Sequence, residues 1–325
     1  MRKTTFLKLL LVLTLALLSS CRTQEKKEET KVATEIKQGN TAVPSIKNDK
    51  ETATFNFKPQ KPVQGKLKAV VELGASGFNS FIIEVDKDKN WEAKRKEFGN
   101  SLILEELTNT KEVNAKLKSY IQKILEFGVN PKDVHFVISS GADQKTITKT
   151  VKKELKKIGY VVNVVTAEEE GQYALKSAMP KCFEETAFVV DIGSGNTKIA
   201  YLDGNKIISK ETHGAKYFQK NIDASKVYKE ANKIASEVPQ TKRVQSFIIG
   251  GVPYQMAKTL RKGNERFTIL NKDITTYAKL AEQKGRKVAS GLTIFKAIND
   301  QTNPSSIIFD WDANFTIGYL LNLPY

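Results

Sequence analysis

The chain has 325 residues, 40% hydrophobic and 27% charged, which is enough for one large domain or two ordinary ones with cores of their own. Two cysteines, Cys21 and Cys182, and two histidines, His135 and His213, exclude a disulfide framework, a cysteine zinc site and a histidine-rich metal cluster. Any metal would be held mainly by oxygen, and the net charge of +16 favours polyanions, anionic membrane surfaces or simple solubility.

Arg2 and Lys3, the apolar stretch Leu9 to Leu18 and the small residues before Cys21 have the layout of a secretory signal. The apolar core is too short to serve as a spanning anchor. Leu18-Ser19-Ser20-Cys21 resembles a bacterial lipobox, so cleavage after residue 20 is expected to leave Cys21 as a lipidated N-terminus in the cell envelope, outside the cytoplasm. From residue 21 to 65 the chain is rich in Lys, Glu, Thr and Gln with scattered prolines, and it has no apolar period of 2 or 3.6. It reads as a disordered tether that holds a folded head clear of a bilayer.

Apolar residues 67–73, a glycine turn at 74–77 and apolar residues 78–85 predict strand, turn, strand, with a third strand at 91–98. A helix over 113–127, a strand at 135–139, a helix over 143–158, a strand at 160–165 and a helix over 168–178 follow. The order then repeats: strands at 187–192, 197–202 and 206–210, a helix near 218–237, a strand at 245–249 and a helix at 253–262. Helices at 274–283 and 291–298, a strand at 307–309 and a helix ending near Leu321 close the chain. Two halves of matching order predict a duplicated α/β head, divided at 66–184 and 185–325, whose halves face each other across a cleft.

Each half has a carboxylate at a strand end just before a glycine turn: Glu72 before Gly74-Ala75-Ser76-Gly77, and Asp191 before Gly193-Ser194-Gly195-Asn196-Thr197. Converging backbone N–H groups in such turns suit phosphate oxygens, and the carboxylates suit a hydrated Mg²⁺ beside them. A single glycine turn is more often a plain hairpin; the pair at matching points is what favours a site. Glu168-Glu169-Glu170 opens a helix, where the helix dipole accounts for acids and one of the three is left for water activation. Gly250-Gly251, between a strand and a helix with Pro253 near its start, suits either a phosphate or a tight turn. The lysines of 145–157 read as a solvated helix face, His135 as a packed strand residue, Trp311 as core and Cys182 as an inert thiol. No nucleic-acid motif accompanies the basic charge, and no nucleic-acid partner is expected.

Four segments, VVELGASGFNSFIIEV, VVNVVTAEEEGQYAL, VVDIGSGNTKIAYL and FIIGG, carry a resemblance to the exopolyphosphatase and guanosine pentaphosphate phosphohydrolase (Ppx/GppA) family of the actin-like ATPase superfamily, over about residues 67–321. The resemblance implies two actin-like (ribonuclease H-like) βββαβα domains facing a central cleft. It further implies Mg²⁺-assisted release of a terminal phosphate from polyphosphate or guanosine pentaphosphate. By position it assigns catalysis and metal to Glu72, Asp191 and Glu170, and phosphate binding to Gly74, Ala75, Ser76, Gly77, Gly193, Ser194, Gly195, Asn196, Thr197, Gly250 and Gly251. This chain departs from the family pattern at Glu72, where Asp is usual, and at Ala75-Ser76-Gly77, where the family has Ser-Asn-Ser. Lys198 stands where a glutamate is usual, and the segment 139–145 lacks an arginine. These departures keep open a catalytically degenerate polyanion-binding or phosphate-binding envelope lipoprotein. A sugar-kinase-like transferase would need ATP, which export disfavours. The expected partners are a phosphoanhydride and the membrane at Cys21, with a homodimer left open.

Overall fold

The computed structural model describes residues 55–74, 77–98, 110–142 and 146–325. The lipobox, Cys21 and most of the expected tether lie outside these residues, as do Ala75 and Ser76. Among the described residues no helix is long and apolar enough to cross a membrane.

The first half builds a five-stranded sheet from β1 (Lys66–Gly74), β2 (Gly77–Val85), β3 (Trp91–Phe98), β4 (Val134–Ile138) and β5 (Val162–Val164), in the order β3-β2-β1-β4-β5. Helices α1 (Thr110–Glu126) and α2 (Thr146–Lys157) belong to the crossovers, and α3 (Ala167–Ala178) follows β5. The first three strands are antiparallel because short turns join them; β4 and β5 run parallel to β1 because helical crossovers do. β1 is buried from Lys68 onward, as a central strand covered on both faces must be.

The second half repeats this plan with β6 (Ala187–Ile192), β7 (Asn196–Asp203), β8 (Lys206–His213), α4 (Ala224–Ser236), β9 (Gln245–Gly250) and α5 (Gly251–Leu260). It continues through β10 (Phe267–Leu270), α6 (Ala278–Lys284), α7 (Arg286–Thr302), β11 (Ser306–Asp310) and α8 (Phe315–Asn322). Its sheet order is β10-β11-β9-β6-β7-β8, the order of the first sheet with β10 added antiparallel at the edge. The two sheets thus carry the expected pair of actin-like layers.

Three expectations need correction. Residues 55–65 are not tether: Phe55 is buried, its ring 5.5 Å from Phe183, 5.8 Å from Phe247 and 5.2 Å from Phe267, and Phe57 lies 5.9 Å from Phe183. Farther along, the Val63 N–H donates to Asp86 at 3.1 Å and Tyr325 Oη donates to the Gln64 carbonyl at 2.9 Å. The segment is therefore a strap fixed to both halves. The single helix expected over 218–237 is a 3₁₀ turn at Tyr217–Lys220 and then α4, because Asn221 is left-handed and Asp223 caps α4 by accepting from the N–H groups of Ser225 and Lys226. β10 was not foreseen, being four residues long between the polar Arg266 and Asn271.

The helices that follow the last strand of each half cross at the join. α3 packs on β6, β7 and β8 of the second sheet, α8 packs on β1 of the first, and the two helices pack on each other. A Cβ at Gly318 would lie 1.8 Å from the Tyr173 carbonyl oxygen, so only glycine permits this crossing. One apolar core consequently runs through both halves, holding Val70 and Phe81 of the first sheet with Val189 and Ile308 of the second.

Candidate functional site

The strand register brings the two carboxylates to equivalent places. Glu72 on β1 is directly opposite Asn79 on β2, and Asp191 on β6 is directly opposite Lys198 on β7. Directly opposed residues share a sheet face with closely spaced side chains. Glu72 and Asp191 both open on one cleft of about 650 Å³, whose wall also includes Glu170, Gly74, Gly193, Ser194, Gly195, Asn196, Gly250 and Gly251.

The glycines serve close backbone approaches. Gly74 pairs with Gly77 across β1 and β2, and Ala75 and Ser76 between them lie outside the described residues. Gly250 has φ +107, and a Cβ there would be 2.4 Å from the Ile192 carbonyl oxygen, so β9 passes into α5 tight against the second turn. A Cβ at Gly195 would sit 3.5 Å from the Gly141 Cα, which is where the loops of the two halves meet. Asn196 bridges that meeting, donating to Ser140 Oγ at 3.2 Å and to Glu211 at 3.0 Å. Thr197 departs from expectation: its side chain is fully buried on β7, and the cleft wall passes from Asn196 to Lys198.

The three carboxylates have different surroundings. Glu72 accepts from the side-chain amides of Asn79 at 3.0 Å and Asn314 at 3.3 Å. Burial nevertheless pushes its carboxyl up to about 7, aided by the charges of Glu170 and Asp191. Burial also raises Asp191, opposed by Lys198 and reinforced by Glu170. Glu170 is 1% exposed and forms a direct ion pair with Lys198, itself 4% exposed, while the Ser140 N–H donates to its other oxygen. Gly171 makes this pair reachable, because a Cβ there would strike Ser209 and crowd Lys198, so α3 lies close on β7 and β8. The neighbouring glutamates are divided as the helix-start argument expects: Glu169 completes a capping box with Thr166.

Sequence reasoning missed the cleft's basic and aromatic walls. Lys216, Lys284 and Lys287 line it, and burial with the nearby Lys216 charge lowers the Lys287 ammonium. The run Lys284-Gly285-Arg286-Lys287 between two helices was the available signal. Trp311 lines the cleft with Phe98 and Tyr254, its ring 5.4 Å from Tyr254 and capped by the Arg261 guanidinium at 3.9 Å, so it is not simply core. Lys149, Lys153, Lys156 and Lys157 are exposed on α2 and absent from the cleft wall. His135 is half-buried, its ring 6.0 Å from Tyr319, and burial lowers its pKa as suits a packed strand residue.

No family model and no curated protein matches this sequence. Solved structures do. A Ppx/GppA enzyme from Aquifex aeolicus superposes with a TM-score of 0.61 at 18% identity, covering 80% of this chain and 100% of the other. An exopolyphosphatase from Cytophaga hutchinsonii gives a TM-score of 0.56 at 13% identity, covering 78% and 96%. The chain has the Ppx/GppA fold. An exopolyphosphatase-like protein superposes similarly, with a TM-score of 0.60 at 12% identity over 80% and 98% of the two chains. At such low identity the likeness concerns the fold.

Proposed function

We propose that the cleft takes the end of a phosphoanhydride chain, polyphosphate or guanosine pentaphosphate, and hydrolyses its terminal phosphoryl group. One observation carries the reading: Glu72, Asp191 and Glu170, from three different elements, open on one cleft that is also lined by Gly74 and by Gly193 to Asn196. The N–H groups of the turns and of the α5 start supply donors for phosphate oxygens, and Lys216, Lys284 and Lys287 supply charge at the same wall. Glu170 is committed to Lys198 and to the Ser140 N–H, which leaves Asp191 to orient the attacking water and Glu72, whose carboxyl is pushed up to about 7, to accept its proton. The water oxygen bonds to the terminal phosphorus, the anhydride P–O bond breaks, and the proton passes to Glu72.

The Mg²⁺ expected from the resemblance would neutralise phosphate oxygens as a Lewis acid. The residues do not fit a protein-held ion. Among the described residues no three acidic, histidine or cysteine side chains converge to hold a metal. Glu170 is taken up by Lys198 and the Ser140 N–H, and Glu72 receives both amides on one oxygen, so an ion arriving on phosphate would find Asp191 and the other oxygen of Glu72 but no third side-chain ligand. The mechanism above accordingly uses the chain's own donors.

The test is phosphate release by the purified chain from polyphosphate and from guanosine pentaphosphate, compared with Asp191→Ala. Release lost in a variant that still folds supports the hydrolase. Saturable binding without release supports the second reading, a phosphate-binding protein, which the Lys198–Glu170 pair favours by withdrawing one carboxylate from chemistry. We further propose lipid attachment at Cys21 and an envelope location; incorporation of labelled fatty acid, lost in Cys21→Ser, is the expected result, and incorporation that persists in the variant overturns the assignment.

A further inference from the structure

We infer that the Lys198 ammonium is the cleft's built-in cation, so that phosphoanhydride binds at the second glycine turn without a divalent metal. The inference rests on the phosphoanhydride reading of the cleft and adds to the lysines of its wall a buried positive charge at the second glycine turn. Three features of the geometry support it.

The first is position. Lys198 occupies on β7 the place that Asn79 occupies on β2, each directly opposite a cleft carboxylate on the central strand of its sheet. One half of the duplication thus places a neutral amide there and the other a full charge. Secondly, the ammonium lies at the phosphate turn: a Cβ at Gly193 would be 3.7 Å from Lys198 Nζ, and Gly193, Ser194, Gly195 and Lys198 line the same wall. An ammonium has three N–H donors, and pairing with Glu170 leaves capacity for a phosphate oxygen.

Thirdly, the site is built to keep the charge in place. Lys198 and Glu170 are almost completely buried, Glu170 is held from its other side by the Ser140 N–H, and Gly171 brings α3 near enough for the pair to form. A buried ammonium needs such a partner to stay charged. A divalent ion at the same place would meet this fixed positive charge and a carboxylate already neutralised. The same chemistry that excludes the metal supplies its electrostatic role.

The test uses the full chain in detergent, titrated calorimetrically with inorganic tripolyphosphate in EDTA and in Mg²⁺, with direct Mn²⁺ binding followed by electron paramagnetic resonance. Equal affinity in the two conditions, with Mn²⁺ left free in the absence of tripolyphosphate, is the expected result. Lys198→Gln alone would strand Glu170 as a buried charge, so the informative variant is Lys198→Gln with Glu170→Gln, its fold checked by circular dichroism. It should bind tripolyphosphate about 10- to 100-fold more weakly in EDTA, the loss expected for one charge-assisted hydrogen bond. Binding only with Mg²⁺, or tight Mn²⁺ binding by the wild type, overturns the inference and leaves the ligand class standing. Unchanged affinity in the double variant removes Lys198 from the site. No binding in either condition removes the phosphoanhydride reading itself. The two wild-type measurements decide the metal question even if the double variant does not fold.

Discussion

Glu72 is the residue at which burial and chemistry meet. Its carboxyl, ordinarily near 4.5, is pushed up to about 7 by burial and by Glu170 and Asp191. Between these values the folded chain holds a proton that the unfolded chain has released, so this group's contribution to stability falls as pH rises through the window and is level above it. Glu72→Gln keeps a similar shape and abolishes the ionisation. Relative to wild type, the variant should therefore gain stability between pH 5 and pH 8, on the order of 3 kcal/mol for the full shift. Denaturant unfolding at the two pH values measures this directly; a pH-independent difference would mean that the carboxylate is solvated. If Glu72 also accepts the water proton, the same variant loses turnover while retaining tripolyphosphate binding. Glu72, Asp191 and the glycine turns were legible because they close apolar strands, and Glu170 because it stands in the acid run that opens α3. The inequality of the carboxylates was not, since the ion pair of Glu170 depends on α3 crossing β7, a contact between segments far apart in the sequence.

At the scale of elements, periodicity marked almost every strand and helix but not how they pack across the duplication. β3 was foreseen at its observed bounds because Trp91–Phe98 follows a clear turn, whereas β10 gains its place from pairing with β11 and offers only four residues of local signal. The crossing of α3 and α8 was equally hidden: Gly318 in a strongly apolar final helix reads as a weak helix former, and its purpose appears only against the Tyr173 carbonyl. Gly318→Ala places a methyl group into backbone, which cannot move aside as a flexible side chain can. The expected cost is about 2–3 kcal/mol or more, toward the upper end for overpacking. A lowered midpoint of chemical unfolding with an unchanged m-value would record it; a neutral substitution would show that the two helices slide apart freely. Because α8 is capped by Asn314, which donates to Glu72, the same change should also disturb ligand binding in the cleft.

Over the whole molecule, the duplication places the halves on either side of a cleft, and the strap of residues 55–65 ties them together. Its composition resembles a tether because seven of its eleven residues, Lys58 through Gln64, include two prolines, two lysines and two glutamines and only one apolar side chain besides the prolines, Val63. Two phenylalanines outweigh that composition. Phe55 joins Phe183 at the end of the first half to Phe247 and Phe267 on the second, while Val63 and Gln64 bond to Asp86 and Tyr325, and Asp86 follows β2 of the first sheet. Removing the Phe55 ring should cost about 3–5 kcal/mol, the usual range for a buried phenylalanine reduced to alanine. A strap that merely filled a surface groove would give a purely local loss. One that joins the halves predicts more: Phe55→Ala should increase hydrogen exchange in β2 and around Asp86 as well as near Phe247 and Phe267. Exchange confined to the second half would restrict the strap to packing there. Exchange rising in both halves would make the residues just beyond the tether part of the frame that sets the width of the cleft.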